Sequence, residues 1–314
     1  MNKTPVFYPK DFIETAEGLL FAVVIQGLED GKVLCCLRYV LEDSGWKKYP
    51  THAANTYLQA YHPHYLHFSM HLAADLHAVG VAHISKHHQP RRRLQNIIKA
   101  IPQDAVEQDV YQLAWLLKKH GLDLAVLGVT GSVLAGVHNP FSDIDLVCYD
   151  RTVFQHCRTL VRDLIAQGKM AELTETDWQQ SYRRREADLS YEEYLWHERR
   201  KHNKAMINGR KFDLSLLNAS EAETEDCQKH GAIKMQCRII DDTYSYDYPA
   251  KFITDHPTIQ TVISYTATYV GQAQTGDWVE VSGNLEQTAT GLQRIVVGSN
   301  REARGEYIKV KREI

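Results

Sequence analysis

With 314 residues the chain is long enough for two or three folding units, each with an ordinary core. An apolar fraction of 44% and a charged fraction of 24% are those of a globular protein and exclude disorder as the default state. A net charge of −3 excludes a chain-wide attraction to nucleic acid, so any basic surface must be local.

The N-terminus, MNKTPVFYPKDFIETAEG, lacks the apolar stretch of a leader, and the longest apolar run, Leu19 to Ile25, is far short of the roughly 20 residues a bilayer requires. A cytoplasmic chain with no membrane segment is expected. Its six cysteines (Cys35, Cys36, Cys148, Cys157, Cys227, Cys237) never form a CxxC pair, and most sit in apolar runs where a reduced thiol acts as a small hydrophobe.

Two β-rich runs, LLFAVVI and KVLCCLRYVL, flank GLEDG and predict a hairpin, so residues 1–88 read as a small β-containing module. Thr51 to Tyr61 predicts a short helix. The following segment is crowded with His62, His64, His67, His71, His77, His83, His87 and His88. His67 and His71 have the i,i+4 spacing that on a helix could bind a metal, but no Glu accompanies them in an HExxH arrangement, which favours ordinary surface or core histidines.

Residues 89–222 read as the core domain. A helix starts near Pro90, and the clearest one runs from Asp104 to His120, with Val106, Val110, Leu113 and Leu117 on one stripe. Asp104 and Glu107 have the spacing of a cap and its reciprocal partner, and Gly121 stops the helix. LAVLGV is a buried strand, GSVLAG a turn opening a helix, and IDLVCY a second buried strand. Helical patterns follow at Val153 to Ala166 and Trp178 to His202, and then KAMINGRKFDLSLL predicts a hairpin over Asn208 and Gly209. Beyond the acidic stretch Glu221 to Asp226, residues 223–314 read as short strands between turns, a small barrel-like β-domain.

The chemistry is concentrated in GSVLAGVHNPFSDIDL, Gly131 to Leu146. Asp143 and Asp145 stand two apart on a predicted strand, so their carboxylates share a face and repel unless a cation lies between them. Hard oxygen ligands favour Mg²⁺. Gly131 and Ser132 follow a strand and open a helix, which offers backbone N–H groups and a hydroxyl to a phosphate. Asp213, from the predicted hairpin, can complete a two-metal clamp of the kind used in phosphoryl or nucleotidyl transfer.

Gly131-Ser132, then Ser142-Asp143-Ile144-Asp145-Leu146, then Asp213 resemble the three motifs of the polymerase-β-like nucleotidyltransferase superfamily, with the spacing of its minimal branch, GSxARGxxxxxSDIDL. The resemblance spans roughly residues 104 to 217, about a third of the chain. It implies an α/β core with a mixed sheet, two Mg²⁺ ions, and transfer of a nucleoside monophosphate from a nucleoside triphosphate to an acceptor hydroxyl. By the resemblance Ser132 contacts a donor phosphate, with Gly131 and Ser142 beside it. Asp143 and Asp145 hold Mg²⁺, and Asp213 holds the ion on the acceptor side. Where the branch often has Arg, this chain has Ala135, so Arg210 or Lys211 would have to supply the cation facing the triphosphate.

Local basic surface lies at Arg91-Arg92-Arg93 and from Arg183 to Lys211, where nine Lys and Arg stand against five acids with Tyr182, Tyr191, Tyr194 and Trp196 interleaved. Such a mixture could hold a nucleic-acid backbone and stack bases, so RNA, tRNA-like, is the expected acceptor. The alternatives are AMP transfer to protein, as in toxin–antitoxin systems, and a nucleotide- or RNA-binding module without turnover. The sequence leaves the oligomeric state open.

Overall fold

In the computed structural model, which describes residues 5–70, 74–185, 187–218, 227–298 and 303–311, the chain is mixed α and β, with three sheets and seven α-helices among these residues. It divides into two units, one made of Met1–Val153, Ile207–Leu214 and Ala219–Glu221, the other of Phe154–Met206, Ser215–Asn218 and Ala222–Ile314. No helix among the described residues is long and apolar enough to cross a membrane.

The first unit opens with β1 (Phe12–Thr15), β2 (Leu19–Val23), β3 (Lys32–Glu42), β4 (Gly45–Lys48), α1 (Thr51–Tyr61), β5 (Leu66–Ser69), β6 (Ala74–Gly80) and β7 (Ile84–His88). These strands form a seven-stranded sheet, order β5-β6-β3-β2-β1-β7, with β4 paired to β3. Both faces are apolar, because successive side chains on a strand point to opposite sides. Ile13, Leu19, Phe21 and Leu37 pack with Ala54 and Leu58 of α1, while Phe12, Leu20 and Tyr39 face the other way. A bulge makes this division work. Leu20 pairs with Tyr39 but Phe21 pairs with Leu37, so Arg38 is an extra residue that turns Tyr39 onto the face opposite Leu37.

Next come α2 (Pro90–Lys99), α3 (Ala105–Lys119), β8 (Leu127–Thr130), α4 (Gly131–Ala135) and β9 (Ile144–Cys148). Asp104 caps α3 as expected, its Oδ1 accepting from the backbone N–H groups of Val106 (2.8 Å) and Glu107 (2.9 Å). The reciprocal half of the cap is absent: Glu107 instead accepts from Gln103 N (2.9 Å) and from Arg93 (2.6 Å), because a buried carboxylate gains more from a guanidinium than from one further amide. Arg93 Nε also donates to the carbonyl of Val133 (3.0 Å), so a single side chain on α2 ties α3 to α4.

The chain continues through α5 (Arg151–Ala166), α6 (Glu175–Arg185), α7 (Tyr191–Lys201), β10 (Lys204–Ile207) and β11 (Arg210–Leu216). The four-stranded sheet has the order β10-β11-β9-β8, and Asn208 (φ 52°) with Gly209 (φ 77°) makes the tight hairpin that the sequence predicts. The single helix predicted from Trp178 to His202 is two helices. Ser190 starts the second with a full capping box, its hydroxyl accepting from Glu193 N while Glu193 accepts from Ser190 N, and the break lets Leu189 enter the core.

The second unit ends with β12 (Cys227–Asp241), β13 (Ala250–Thr254), β14 (Ile259–Ser264), β15 (Trp278–Thr288), β16 (Gln293–Val297) and β17 (Tyr307–Val310). Pairing runs β12-β13-β14-β16-β15 and returns from β15 to β12, with β14 and β16 parallel, the other pairs antiparallel, and β17 added to β15. Alternate residues Met235, Cys237 and Ile239 of β12 point inward with Phe252, Val262, Val279, Val281 and Ile295, and Tyr194 of α7 joins them.

Charge is buried in this unit as well. Lys201 donates to Glu198 Oε1 (2.5 Å) and to the Thr268 carbonyl (2.7 Å), and Lys204 pairs with the other Glu198 oxygen. Burial pushes the Glu198 carboxyl up, and the two ammonium groups more than reverse this, holding it below the usual carboxylate range. Glu198→Gln leaves two interior ammonium groups facing a neutral amide and is expected to destabilise the protein by about 3 to 5 kcal/mol. Urea denaturation measures this, and a loss below about 1 kcal/mol would show that Glu198 is not the counter-ion both lysines require.

Candidate functional site

The site is built where β8 and β9 lie side by side, in a register that puts Thr130 opposite Asp145. Immediately after Thr130 the chain turns into α4 through Gly131, whose φ is +65°. A β-carbon on residue 131 would lie 2.1 Å from Asp145 Oδ2. What approaches its backbone is the chain's own Asp145 carboxylate. The helix it opens has only five residues, so its dipole is small.

Asp145 is solvent-accessible although protein surrounds it on most sides, which describes the floor of an open recess. Desolvation there, then the charge of Asp213, and less strongly that of Asp143, raise its carboxyl to about 6, while Lys10 and Lys48 oppose the rise. The three predicted acids thus act on one another. They do not close to a set whose oxygens all lie within 4.8 Å of each other, and Asp143, which precedes β9 rather than lying on it, is drawn to Lys211 Nζ at 2.9 Å.

Arg210 and Ser142 have other duties than those predicted. Arg210 donates through Nε to Asp109 (2.6 Å) and through Nη1 to the carbonyls of Pro140 (2.9 Å) and Ser142 (2.7 Å). The Ser142 hydroxyl accepts from Asn139 N (3.0 Å), closing the same turn. Both hold the segment that delivers Asp143, which makes them positioning residues. Lys211 keeps its ammonium at the carboxylates.

Lys10 and Lys48 are functional candidates that sequence reasoning missed. Lys10 occupies the third position of the turn Tyr8-Pro9-Lys10-Asp11, with φ at +75°, and its carbonyl accepts from the Thr130 hydroxyl (2.6 Å). Lys48 pairs with Tyr39 across β3 and β4. On that face Phe12, Leu20 and Tyr39 pack against Leu134 of α4, with Trp46, Ala135 and Val137 around them. The N-terminal sheet therefore packs on α4 within the first unit.

The uncharacterized protein MJ1086 of Methanocaldococcus jannaschii is 30% identical to this chain over an alignment of 345 positions that covers 96% of this chain and 98% of the archaeal protein. The chain belongs to the family of that protein. No protein-family model matches it. No solved structure matches it either.

Other predicted features have structural explanations. Tyr194, interleaved with the basic run, lies in the core of the second unit with Tyr182 and Trp196 partly buried against it, Tyr191 donates to Glu175 (2.7 Å), and Arg200 Nη2 donates to both Asp277 oxygens (3.1 and 2.8 Å). The segment with His67 is strand, not helix, so i,i+4 spacing does not bring side chains together there, and His71 lies outside the described residues. His67 meets Glu29 (3.1 Å), His87 meets Asp11 (2.7 Å) and His88 meets Glu14 (3.1 Å). Among the described residues Asp104, Glu107 and His138 bring ligand atoms within 4.8 Å of one another. That group serves the helix cap and the Arg93 tie, with His138 Nε2 on Asp104 at 2.8 Å.

Gly136, which ends α4 with φ at +72°, has open space where a β-carbon would go and provides a control for Gly131. Gly136→Ala is expected to cost about 1 kcal/mol for the left-handed backbone alone. Gly131→Ala adds displacement of Asp145 and is expected to cost about 2 to 4 kcal/mol. Thermal melts of the two variants check the difference, and equal losses would mean that the Asp145 carboxylate moves aside without penalty.

Proposed function

We propose that the protein is a Mg²⁺-dependent nucleotidyltransferase, with β8, α4, β9 and β11 as the catalytic part of a nucleotidyltransferase core. The observation that carries this reading is the recess in which Asp145 lies against Gly131 with Asp143 and Asp213 acting on it. Mutually repelling carboxylates, one of them strongly desolvated, gain most from a hard divalent cation. Asp143, Asp145 and Asp213 would hold it. Bound there, the metal would neutralise charge on the triphosphate and lower the pKa of the attacking hydroxyl.

The chain's own groups do the rest. Ser132 and the amides beside it face the donor phosphates, while Arg210 and Ser142 fix the turn that carries Asp143. The acceptor oxygen forms a bond to the α-phosphorus as the bond to the β-phosphate oxygen breaks, and pyrophosphate leaves. Asp213 stands on the acceptor side.

RNA is the acceptor we propose. The closed path of strands β12 to β16 supports a small barrel, an architecture often used to bind oligonucleotides. On its outer side Tyr248 and Tyr265, 59% and 42% exposed, stand 6.3 Å apart at 87°, beside Lys251 at the start of β13. Exposed aromatic rings near a cation are the elements of base stacking.

Incubation with labelled nucleoside triphosphates and either RNA or cell protein tests the proposal. Label is expected on RNA, and Asp143→Ala or Asp145→Ala is expected to reduce it by roughly 10² to 10³-fold or more. Label on protein alone would replace RNA with a protein acceptor, and label unaffected by either substitution would sink the enzyme reading.

A further inference from the structure

The nucleotidyltransferase reading leaves one physical problem, and this inference rests on that reading. A triphosphate brings several negative charges to a site already lined by three carboxylates. The minimal branch often has Arg where this chain has Ala135, and the cation predicted to replace it, Arg210, is occupied by Asp109 and two carbonyls. Ala135, partly buried, packs against the cluster of Phe12, Leu20, Tyr39 and Leu134.

The sheet that occupies this place supplies two lysines. Lys10 comes from the turn before β1, and its own carbonyl is held by Thr130, the residue next to Gly131. Lys48 comes from the end of β4, across from Tyr39 and two residues beyond Trp46, hence on the face turned to α4. Both charges register on Asp145. Among the described residues no carboxylate is paired with either ammonium, whereas Lys47, between Trp46 and Lys48, is paired with Glu42.

The backbone at Lys10 adds an independent observation. Its φ of +75° belongs to the third position of a turn with Pro at the second, where glycine is the favoured residue. A lysine there bears a backbone cost that glycine would avoid, and such outliers persist where the side chain has a task.

We infer that the N-terminal sheet completes the donor site, with Lys10 and Lys48 binding the triphosphate of the incoming nucleotide in place of an arginine on α4. Recognition of this kind is by charge: it favours nucleoside triphosphate over nucleoside and is indifferent to the base. The Ala135 contact and the two lysines are then a single exchange, in which the helix gives up its cation to pack against the sheet and the sheet returns two.

Binding of MgATP, MgGTP, MgCTP and MgUTP to the full chain, measured by calorimetry, tests the inference, with adenosine as the uncharged comparison. Lys10→Gly removes the charge while relieving the backbone, so its melting temperature is expected to be equal to or above that of the parent chain. Triphosphate affinity is expected to fall about ten-fold in Lys10→Gly and about ten-fold in Lys48→Gln, the usual range for loss of one charged hydrogen bond, and about a hundred-fold in the double variant. Lys10→Arg and Lys48→Arg are expected to restore most of the affinity, and adenosine binding is expected to be unchanged throughout. Variants that bind triphosphate within two-fold of the parent chain would overturn this inference and leave the nucleotidyltransferase reading standing. A parent chain that binds none of the four would overturn both.

Discussion

Asp145 can lie where it does only because residue 131 has no β-carbon, and much of the first unit is arranged around that fact. The antiparallel register of β8 and β9 sets Thr130 opposite Asp145, so the next residue must turn away under the carboxylate. A left-handed glycine does so and starts α4 in the same step. Two arginines then fix what the glycine leaves free. Arg93 holds the Val133 carbonyl and Glu107, and Arg210 holds the turn before Asp143 and Asp109. Each is a bridge between a charged partner and a backbone carbonyl of the segment from Gly131 to Asp143, so the positions of the acids are set by the interior of the unit and not by the acids themselves.

The electrostatics follow from that rigidity. At about 4 Å and an effective dielectric near 20, two like charges repel by roughly 4 kcal/mol, more than one surface ion pair returns. The three carboxylates are opposed by Lys211, which contacts Asp143, and by Lys10 and Lys48, whose charges act on Asp145. Burial first, and then the two neighbouring acids, raise the Asp145 carboxyl to about 6 against the lysines. Under the proposed reaction such a composition would suit a cation at the acids and an anion at the two ammonium groups.

Local signals in the sequence were read well. Helix α1 occupies Thr51–Tyr61, α2 begins at Pro90, and Asn208-Gly209 makes its hairpin, because each depends on a cap, a proline or a left-handed turn within a few residues. Asp143 and Asp213 both act on Asp145, but the strand alternation expected to align Asp143 with Asp145 does not apply, because β9 begins at Ile144. Charge runs misled. Arg199, Arg200, Lys201 and Lys204 look like one basic face in the sequence, yet Glu172, Asp277 and Glu198 take them up. The Ser190 and Glu193 capping box was present in the text, but the continuous run of charge around it read as a single helix. Lys10 and Lys48 were illegible because their relation to Asp145 is made by sheet packing across about a hundred residues, and no periodicity reports that.

The bulge at Arg38 shows how small a device can connect distant parts. Side chains on a regular strand alternate strictly, so without the bulge, with Arg38 in ordinary register, Tyr39 would share the face of Leu37 and turn toward α1. Lys48, paired with Tyr39, would turn with it. One inserted residue in β3 therefore sends an aromatic ring against Leu134 and an ammonium group toward Asp145 in the same stroke. The packing that holds α4 and the charge that reaches the recess are consequences of one register shift, which is why the N-terminal sheet cannot be treated as an accessory to the acids it faces.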